Sequence, residues 1–467
     1  MLQGHLSLVY LPPQLMVLSI KIDYHILFSL KVPVEASSME QKLDKDFLES
    51  LLGQKISSMK FAQGSKKGDN VAGALTTISV ETVSGENLTL IIKFIPPEDP
   101  VVRSYIVNFS LMEIEGEFYG SIIEDIQKFS ASHNVPPELP FAKCYGHSDL
   151  FVALEDLRPR GYRMADKYVG LNASETSCVL KSLGSFHALT YMLLQEEGDK
   201  FFQKNALRQL MLEFPWKSKE VGDGYLKTSE MLRDLIEVMA EQNQDYANKL
   251  EKLLPDFHPL FLGIWENTDE KYFPVLCHGD FWMNNFLFKY DSEGEPTDVK
   301  FIDMQQVHRG NIFEDLSYFF MTSTTPKFRE EHLKPSLKAY YDSFVETLNK
   351  FRCCPAPKGF SFEFIHETYF TTLKNMAVFV GGAIAFQLGA IPPGQDETSK
   401  EKPKEEKEGK GNEDIILRRY KPEELLPPEA SYDDIGLFCQ MSVRGDPRAL
   451  QRFVDIIEEF DNLGVFS

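Results

Sequence analysis

No stretch of this sequence reads as a membrane span. Its most apolar part, Leu6 to Ile20, is broken by Pro12-Pro13, and the patch at Ile26-Leu27-Phe28 is shorter still, whereas a spanning helix needs about 20 consecutive apolar residues. The basic opening of a secretory leader is also missing, since no Lys or Arg precedes Lys21. Residues 1–38 are therefore expected to be a non-core N-terminal extension without stable membrane insertion. The six cysteines form no CxxC pair and no His/Cys spacing suited to zinc, which removes a disulfide framework and a zinc module and leaves the reducing cytoplasm as the expected setting. Base is in short supply, with 49 Lys and Arg against 70 Asp and Glu and a formal charge of −21. That balance opposes general attraction to nucleic acid or anionic membrane, so any nucleotide must be held by a local cation. No internal repeat is present, and Ser399 to Asp414 is almost all Lys, Glu, Gly and Pro. This composition cannot bury enough apolar area to order itself, so a disordered charged loop is expected over 396–414.

What remains has the balance of an ordinary folded protein, 43% apolar and 25% charged. Leu75 to Val83 alternates in polarity and Leu88 to Phe94 is a second β-prone run, with Ser84-Gly85-Glu86-Asn87 between them, so a β-hairpin is predicted. Just upstream, Gly64 to Asn70 is a glycine-bearing loop that could bring backbone N–H groups to phosphate oxygens. A helix is predicted from about Asn108 to Ser132, with Met112, Tyr119, Ile122, Ile126 and Phe129 on its apolar stripe. Glu115 falls inside that stripe, while Glu113, Glu117 and Glu124 are assigned to the solvated face. A carboxylate on a buried stripe needs a cation, and Lys93, interrupting the run Leu90 to Ile95, is the candidate. Phe151 to Leu154 makes a short buried strand ending in Glu155-Asp156-Leu157. Beyond it the pattern is mainly helical, with stretches near 173–193, 228–253, 313–320, 328–351 and 361–387. The fold class is thus α+β, a β-rich lobe over 39–155 followed by a larger helical lobe over 156–467.

The chemistry concentrates after the apolar run Phe273 to Cys277. His278-Gly279-Asp280-Phe281-Trp282-Met283-Asn284-Asn285 leads into Phe286-Leu287-Phe288, and after a turn at Asp291 to Gly294 the run Val299 to Ile302 ends at Asp303. If the two runs form an antiparallel hairpin, Asn285 and Asp303 lie side by side at one end, next to Asp280. Two oxygen ligands and a proton-accepting carboxylate are what phosphoryl transfer from a magnesium–nucleotide requires.

These residues resemble the kinase-like phosphotransferases that include choline and aminoglycoside kinases, and most closely the ecdysteroid-kinase-like branch. The likeness runs in order through Gly68-Asp69-Asn70, Ile91-Ile92-Lys93, Glu115 to Tyr119, Leu154 to Leu157, Phe186-His187-Ala188, the His278 to Asn285 loop and Ile302 to Gln305. The resemblance implies a two-lobed protein-kinase-like fold and an enzyme that uses ATP and Mg2+. It makes Lys93 the ligand of the α/β-phosphates, oriented by Glu115, and makes Asp280 the catalytic base. Gly68 and Asn70 would meet phosphate, the backbone from Glu155 to Leu157 would receive adenine, and Asn285 and Asp303 would hold the metal. His278 is implied as a scaffold of the catalytic loop and Asp315 as its brace. Gly279 and Met304-Gln305 stand where protein kinases have Arg and Phe-Gly, which disfavours a protein substrate. The implied acceptor is a hydroxylated small molecule, a steroid or similar apolar compound, phosphorylated by a monomer. Phe313, Tyr318, Phe319, Phe320, Phe362, Phe364, Tyr369 and Phe370 could line its pocket, although core packing explains most of them as well. A cationic choline- or aminoglycoside-like acceptor and a non-catalytic nucleotide-binding protein are the alternatives.

Overall fold

The computed structural model describes residues 43–63, 74–95, 106–107, 109–212, 232–264, 273–352, 356–380, 383–384, 443 and 446–466. Residues 1–38, Gly68 and Asn70, and the charged loop at 396–414 lie outside the described residues. The chain divides into two compact units, Met1–Asp44 and Lys45–Ser467, and every element below belongs to the second.

A short helix, α1 (Lys45–Leu52), precedes β1 (Ile56–Gln63), β2 (Ala74–Thr82) and β3 (Asn87–Phe94). The alternating apolar positions of β2 and β3 do pair as an antiparallel hairpin, turned at Gly85, whose φ of +85° a residue with a Cβ rarely adopts. Two further strands, β4 (Cys144–His147) and β5 (Phe151–Glu155), complete a five-stranded sheet in the order β1-β2-β3-β5-β4. On β3, Lys93 lies between Leu75 of β2 and Val152 of β5, so it occupies a central strand.

The predicted helix at 108–132 is present as α2 (Leu111–Glu117) and α3 (Ile123–Ser132), joined by a π-helical turn, Phe118–Ile122. Its first half is buried on nearly every side: Leu111, Met112, Ile114, Glu115, Glu117, Phe118 and Tyr119 are all inaccessible. The assignment of Glu117 to a solvated face is therefore corrected. A helix enclosed all round has no free polar face for its sequence to mark.

After a two-residue strand, β6 (Tyr162–Arg163), the chain is mainly helical. Helix α4 (Ala173–Glu197) starts on a capping box, in which Asn172 accepts from the Glu175 amide and Glu175 accepts from the Asn172 amide. A short helix α5 (Ala206–Leu210) follows. The helical stretch predicted near 228–253 is two helices in its described part. Residues 232–242 are helical, and Asn243 then caps α6 (Gln244–Glu251), accepting from the amides of Asp245 and Tyr246. Beyond α7 (Phe257–Gly263) come β7 (Pro274–Cys277), β8 (Phe286–Tyr290), β9 (Pro296–Phe301) and β10 (His308–Asn311). The last runs into α8 (Ile312–Ser323) through a second capping box, Asn311 with Glu314. Helices α9 (Pro326–Phe351), α10 (Phe362–Met376) and α11 (Pro447–Asn462) close the larger lobe.

Candidate active site

The site begins with Lys93, which is held by carboxylates from both lobes. Its Nζ is 2.8 Å from Glu115 Oε2 on α2 and contacts Asp303 Oδ1, with Gln305 Oε1 at 3.4 Å. Burial disfavours the ammonium, but the charges of Asp303 and Glu115 outweigh it and raise the Lys93 pKa above the ordinary lysine range. Burial also raises Glu115, against the pull of Lys93 and a hydrogen bond from the Met304 amide.

Helix α2 is anchored on its other side by α5. Arg208 Nε donates to Glu117 Oε1 at 2.7 Å, Asn205 Nδ2 donates to the same oxygen at 3.0 Å, and Arg208 Nη1 lies 2.6 Å from Asp125 Oδ2. Glu115 faces the lysine and Glu117 the helical lobe, so the two buried carboxylates fix the helix from opposite sides.

The hairpin expected to bring Asn285 and Asp303 together is present. Strands β8 and β9 pair antiparallel with Phe286 opposite Phe301, and the Ile302 amide donates to Asn285 O at 3.0 Å. Asn285 in turn donates from Nδ2 to the Asp280 carbonyl at 2.8 Å and to Asp280 Oδ2 at 3.1 Å, which leaves its amide oxygen as the atom available to a cation. Asp303 adopts left-handed backbone geometry, φ +68°, a conformation costing a non-glycine residue on the order of 1–3 kcal/mol and common where a site fixes a side chain. Gly279 has φ +83°, and a Cβ there would meet Gln306 O at 2.3 Å. Glycine after His278 is thus a steric requirement of this loop.

Asp315 on α8 braces the loop. Its Oδ2 accepts from the His278 amide at 2.8 Å and its Oδ1 from the Gly279 amide at 3.1 Å. His187 Nε2 also lies 3.2 Å from Oδ2, with Tyr340 OH 2.9 Å from His187 Nδ1. These donors hold the Asp315 carboxyl below the ordinary value even though burial opposes it. His278 has both ring nitrogens committed. Nε2 faces the Ile302 carbonyl at 2.9 Å and so carries the proton, while Nδ1 accepts from the Asp280 amide at 3.3 Å. Burial also lowers its pKa, and a neutral ring with no free nitrogen is a scaffold.

Asp280, half-buried, is pushed up to about 7 by desolvation and by the charge of Asp303, against hydrogen bonds from Tyr318 and Asn285 and the charge of Lys93. Two carboxylates, Glu115 and Asp303, thus meet the Lys93 ammonium, and the Asp280 carboxylate lies close enough to feel the charges of both Asp303 and Lys93. The Asp280 and Asp303 carboxylates and the Asn285 amide oxygen make an all-oxygen donor set of the kind that suits a hard divalent cation, with Asp303 and Asn285 as the residues that could hold one.

Of the other sequence-predicted residues, Glu155 ends β5 and pairs with Arg160 at 3.1 Å. Leu157 is buried just beyond, where the sheet gives way to the helical lobe. Half of the aromatic set proposed to line an acceptor pocket is core: Phe313, Phe319, Phe320 and Tyr369 are buried, whereas Phe362 and Phe364 are half-buried and Phe370 is exposed. Tyr318, also half-buried, reaches the catalytic loop, for its hydroxyl donates to Asp280 Oδ1 at 3.1 Å. The sequence reading also missed Arg208 and Gln305. An arginine whose carboxylate partner Glu117 lies 91 residues away gives no periodic signal, but the position of Tyr318 three residues after Asp315 on one helix face was a usable one. Among the described residues no helix is long and apolar enough to cross a membrane.

A five-stranded sheet carrying a lysine paired to a helix glutamate, followed by a helical lobe with a His-Gly-Asp loop and a hairpin of oxygen ligands, defines a kinase-like phosphotransferase fold. Residues 67–353, more than half of the chain, match the ecdysteroid kinase-like family, and the chain belongs to that family. A curated relative from Caenorhabditis elegans, named as the uncharacterized oxidoreductase dhs-27, is 23% identical over 222 residues; the match spans 44% of this chain and only 25% of that protein. Among solved structures, the macrolide 2'-phosphotransferase MphH from Brachybacterium faecium is 14% identical with a TM-score of 0.34, over 73% of this chain and 93% of that one. Amicoumacin kinase hAmiN, solved with AMP-PNP, Ca2+ and Ami, is 11% identical with a TM-score of 0.36, over 75% and 88%. At scores this low the two likenesses are too distant to assign an activity.

Proposed function

We propose that this protein transfers the γ-phosphate of ATP to a hydroxyl of a small molecule, a steroid or similarly apolar compound. The observation that carries the reading is the convergence of Lys93, Glu115, Asp280, Asn285 and Asp303 within one site built from both lobes. Lys93, aimed by Glu115, binds the α/β-phosphates, and the backbone from Glu155 to Leu157 receives adenine. Asn285 and Asp303 would hold a Mg2+ ion, whose charge would offset that of the phosphates. Asp280 orients the acceptor hydroxyl and takes its proton as the acceptor oxygen bonds to the γ-phosphorus. The bond from that phosphorus to the bridging oxygen breaks, and its electron pair leaves on ADP.

The steroid class of acceptor rests on family membership, since fold alone does not fix a substrate. The test is incubation with Mg2+ and ATP over a panel containing 20-hydroxyecdysone, other hydroxylated steroids and choline. ADP release is followed, and mass spectrometry reads phosphate added to the acceptor. Phosphorylated steroid is the expected product. Phosphorylation of choline alone would replace the acceptor assignment, and Mg·ATP binding without turnover of any acceptor would contradict catalysis.

A further inference from the structure

Helix α8 lies along the catalytic loop and touches it three times in register. Asp315 accepts from the backbone of His278 and Gly279, Tyr318 donates to the Asp280 side chain, and Ser323 Oγ accepts from the Met283 amide at 2.9 Å. Asp315 and Tyr318 are three residues apart and so share a helix face. Of the three contacts, only that of Tyr318 reaches the carboxylate proposed as the base.

The environment of Tyr318 fixes its aim. Its ring stacks on Trp282 of the same loop, with centroids 6.4 Å apart and planes 26° from parallel, and packs on Phe379 at 5.6 Å. All three rings are half-buried, so they form an apolar face beside Asp280. On Asp280 the two oxygens are held differently, Oδ2 by Asn285 at 3.1 Å and Oδ1 by Tyr318 at 3.1 Å. Without the phenol, Asn285 alone would constrain the carboxylate, which could then rotate about its own axis away from an acceptor hydroxyl.

We propose that Tyr318 is a positioning residue for phosphoryl transfer: its hydroxyl holds the Asp280 carboxylate in its productive orientation, while its ring, with Trp282 and Phe379, forms the apolar wall on the acceptor side. This rests on the reading of Asp280 as the base. The effect is confined to the chemical step, because Tyr318 reaches neither Lys93 nor Asp303 through any of these contacts.

The experiment is a double-mutant cycle of Tyr318→Phe and Asp280→Asn, with 20-hydroxyecdysone as acceptor probe and with water as acceptor in its absence. Phenylalanine keeps the ring packing, and the melting transition checks the fold. Tyr318→Phe should lower kcat on the order of tenfold, the scale of a hydrogen bond to a charged group, with KM for ATP and for the acceptor unchanged. In the Asp280→Asn background the same substitution should change kcat by less than about twofold, because the group it positions is gone. An equal loss in both backgrounds, or no loss in the parent background, overturns the positioning role while leaving the kinase reading intact. A parent protein that releases no ADP from Mg·ATP with water or with any acceptor of the panel refutes the kinase reading itself, and the role of Tyr318 falls with it.

Discussion

Replacing Asp315 by Asn keeps the shape of the brace and removes its charge. In the parent, one carboxylate accepts from two backbone amides at 2.8 and 3.1 Å and faces His187 Nε2 at 3.2 Å. Asparagine offers one acceptor oxygen and turns an NH2 donor toward at least one of these donors, leaving a buried N–H opposed and unpaired. A hydrogen bond to a charged group contributes about 1.5–3 kcal/mol, and an orphaned buried donor costs about 1–3 kcal/mol. The lower desolvation cost of a neutral amide offsets part of this, so a net loss of about 3 kcal/mol in unfolding free energy is expected, read by urea denaturation. The pH dependence has a definite sign. The folded-state pKa of Asp315 is depressed, so its stabilisation is fully present above the unfolded value of about 3.9 and is lost as pH falls through the lower folded one. Asp315→Asn should therefore be less stable at neutral pH and should lose stability less steeply across that acid window. An unchanged denaturation midpoint together with unchanged turnover would refute the brace.

Gly279→Ala combines positive φ with a Cβ 2.3 Å from Gln306 O; a stability loss of about 3 kcal/mol and collapse of turnover are expected, and a fully active alanine variant would contradict the loop geometry. Arg208→Met leaves the buried Glu117 carboxylate without its cation, while Asp125 keeps Lys204 at 2.9 Å, and should cost about 3–5 kcal/mol, partly restored by adding Glu117→Gln; thermal melts of the single and double variants check this. Asp303→Asn should lose magnesium-dependent ATP affinity as well as turnover, measured by calorimetry with and without Mg2+, because the metal's oxygen ligands also hold the phosphates.

The parts of this fold that could be read in the sequence are those with a period or a fixed spacing. The alternation in β2 and β3 marked the hairpin, the apolar run around Lys93 marked it as the partner of a buried carboxylate, and the distance between two β-prone runs placed Asn285 beside Asp303. Glu115 was legible because a carboxylate on an apolar stripe demands a partner. Glu117 was not, since α2 is packed on both sides and its second buried carboxylate looks like ordinary surface charge until Arg208 is seen against it, 91 residues away in the chain. The split of the 228–253 stretch at Asn243 turned on one cap whose effect a periodic pattern does not record. Tyr318 was grouped with its aromatic neighbours because apolar bulk is visible in a sequence and the aim of one hydroxyl is not.

The central claim is that Asp280 is the base of a phosphoryl transfer whose nucleotide is held by other residues. Its most direct test is the acceptor-dependent turnover of Asp280→Asn, measured alongside Mg·ATP affinity on the same preparation. The substitution preserves shape and removes the proton acceptor, so turnover should fall by about 10²-fold or more while Mg·ATP binds as it does to the parent. An Asp280→Asn protein that phosphorylates its acceptor as fast as the parent would contradict the assignment.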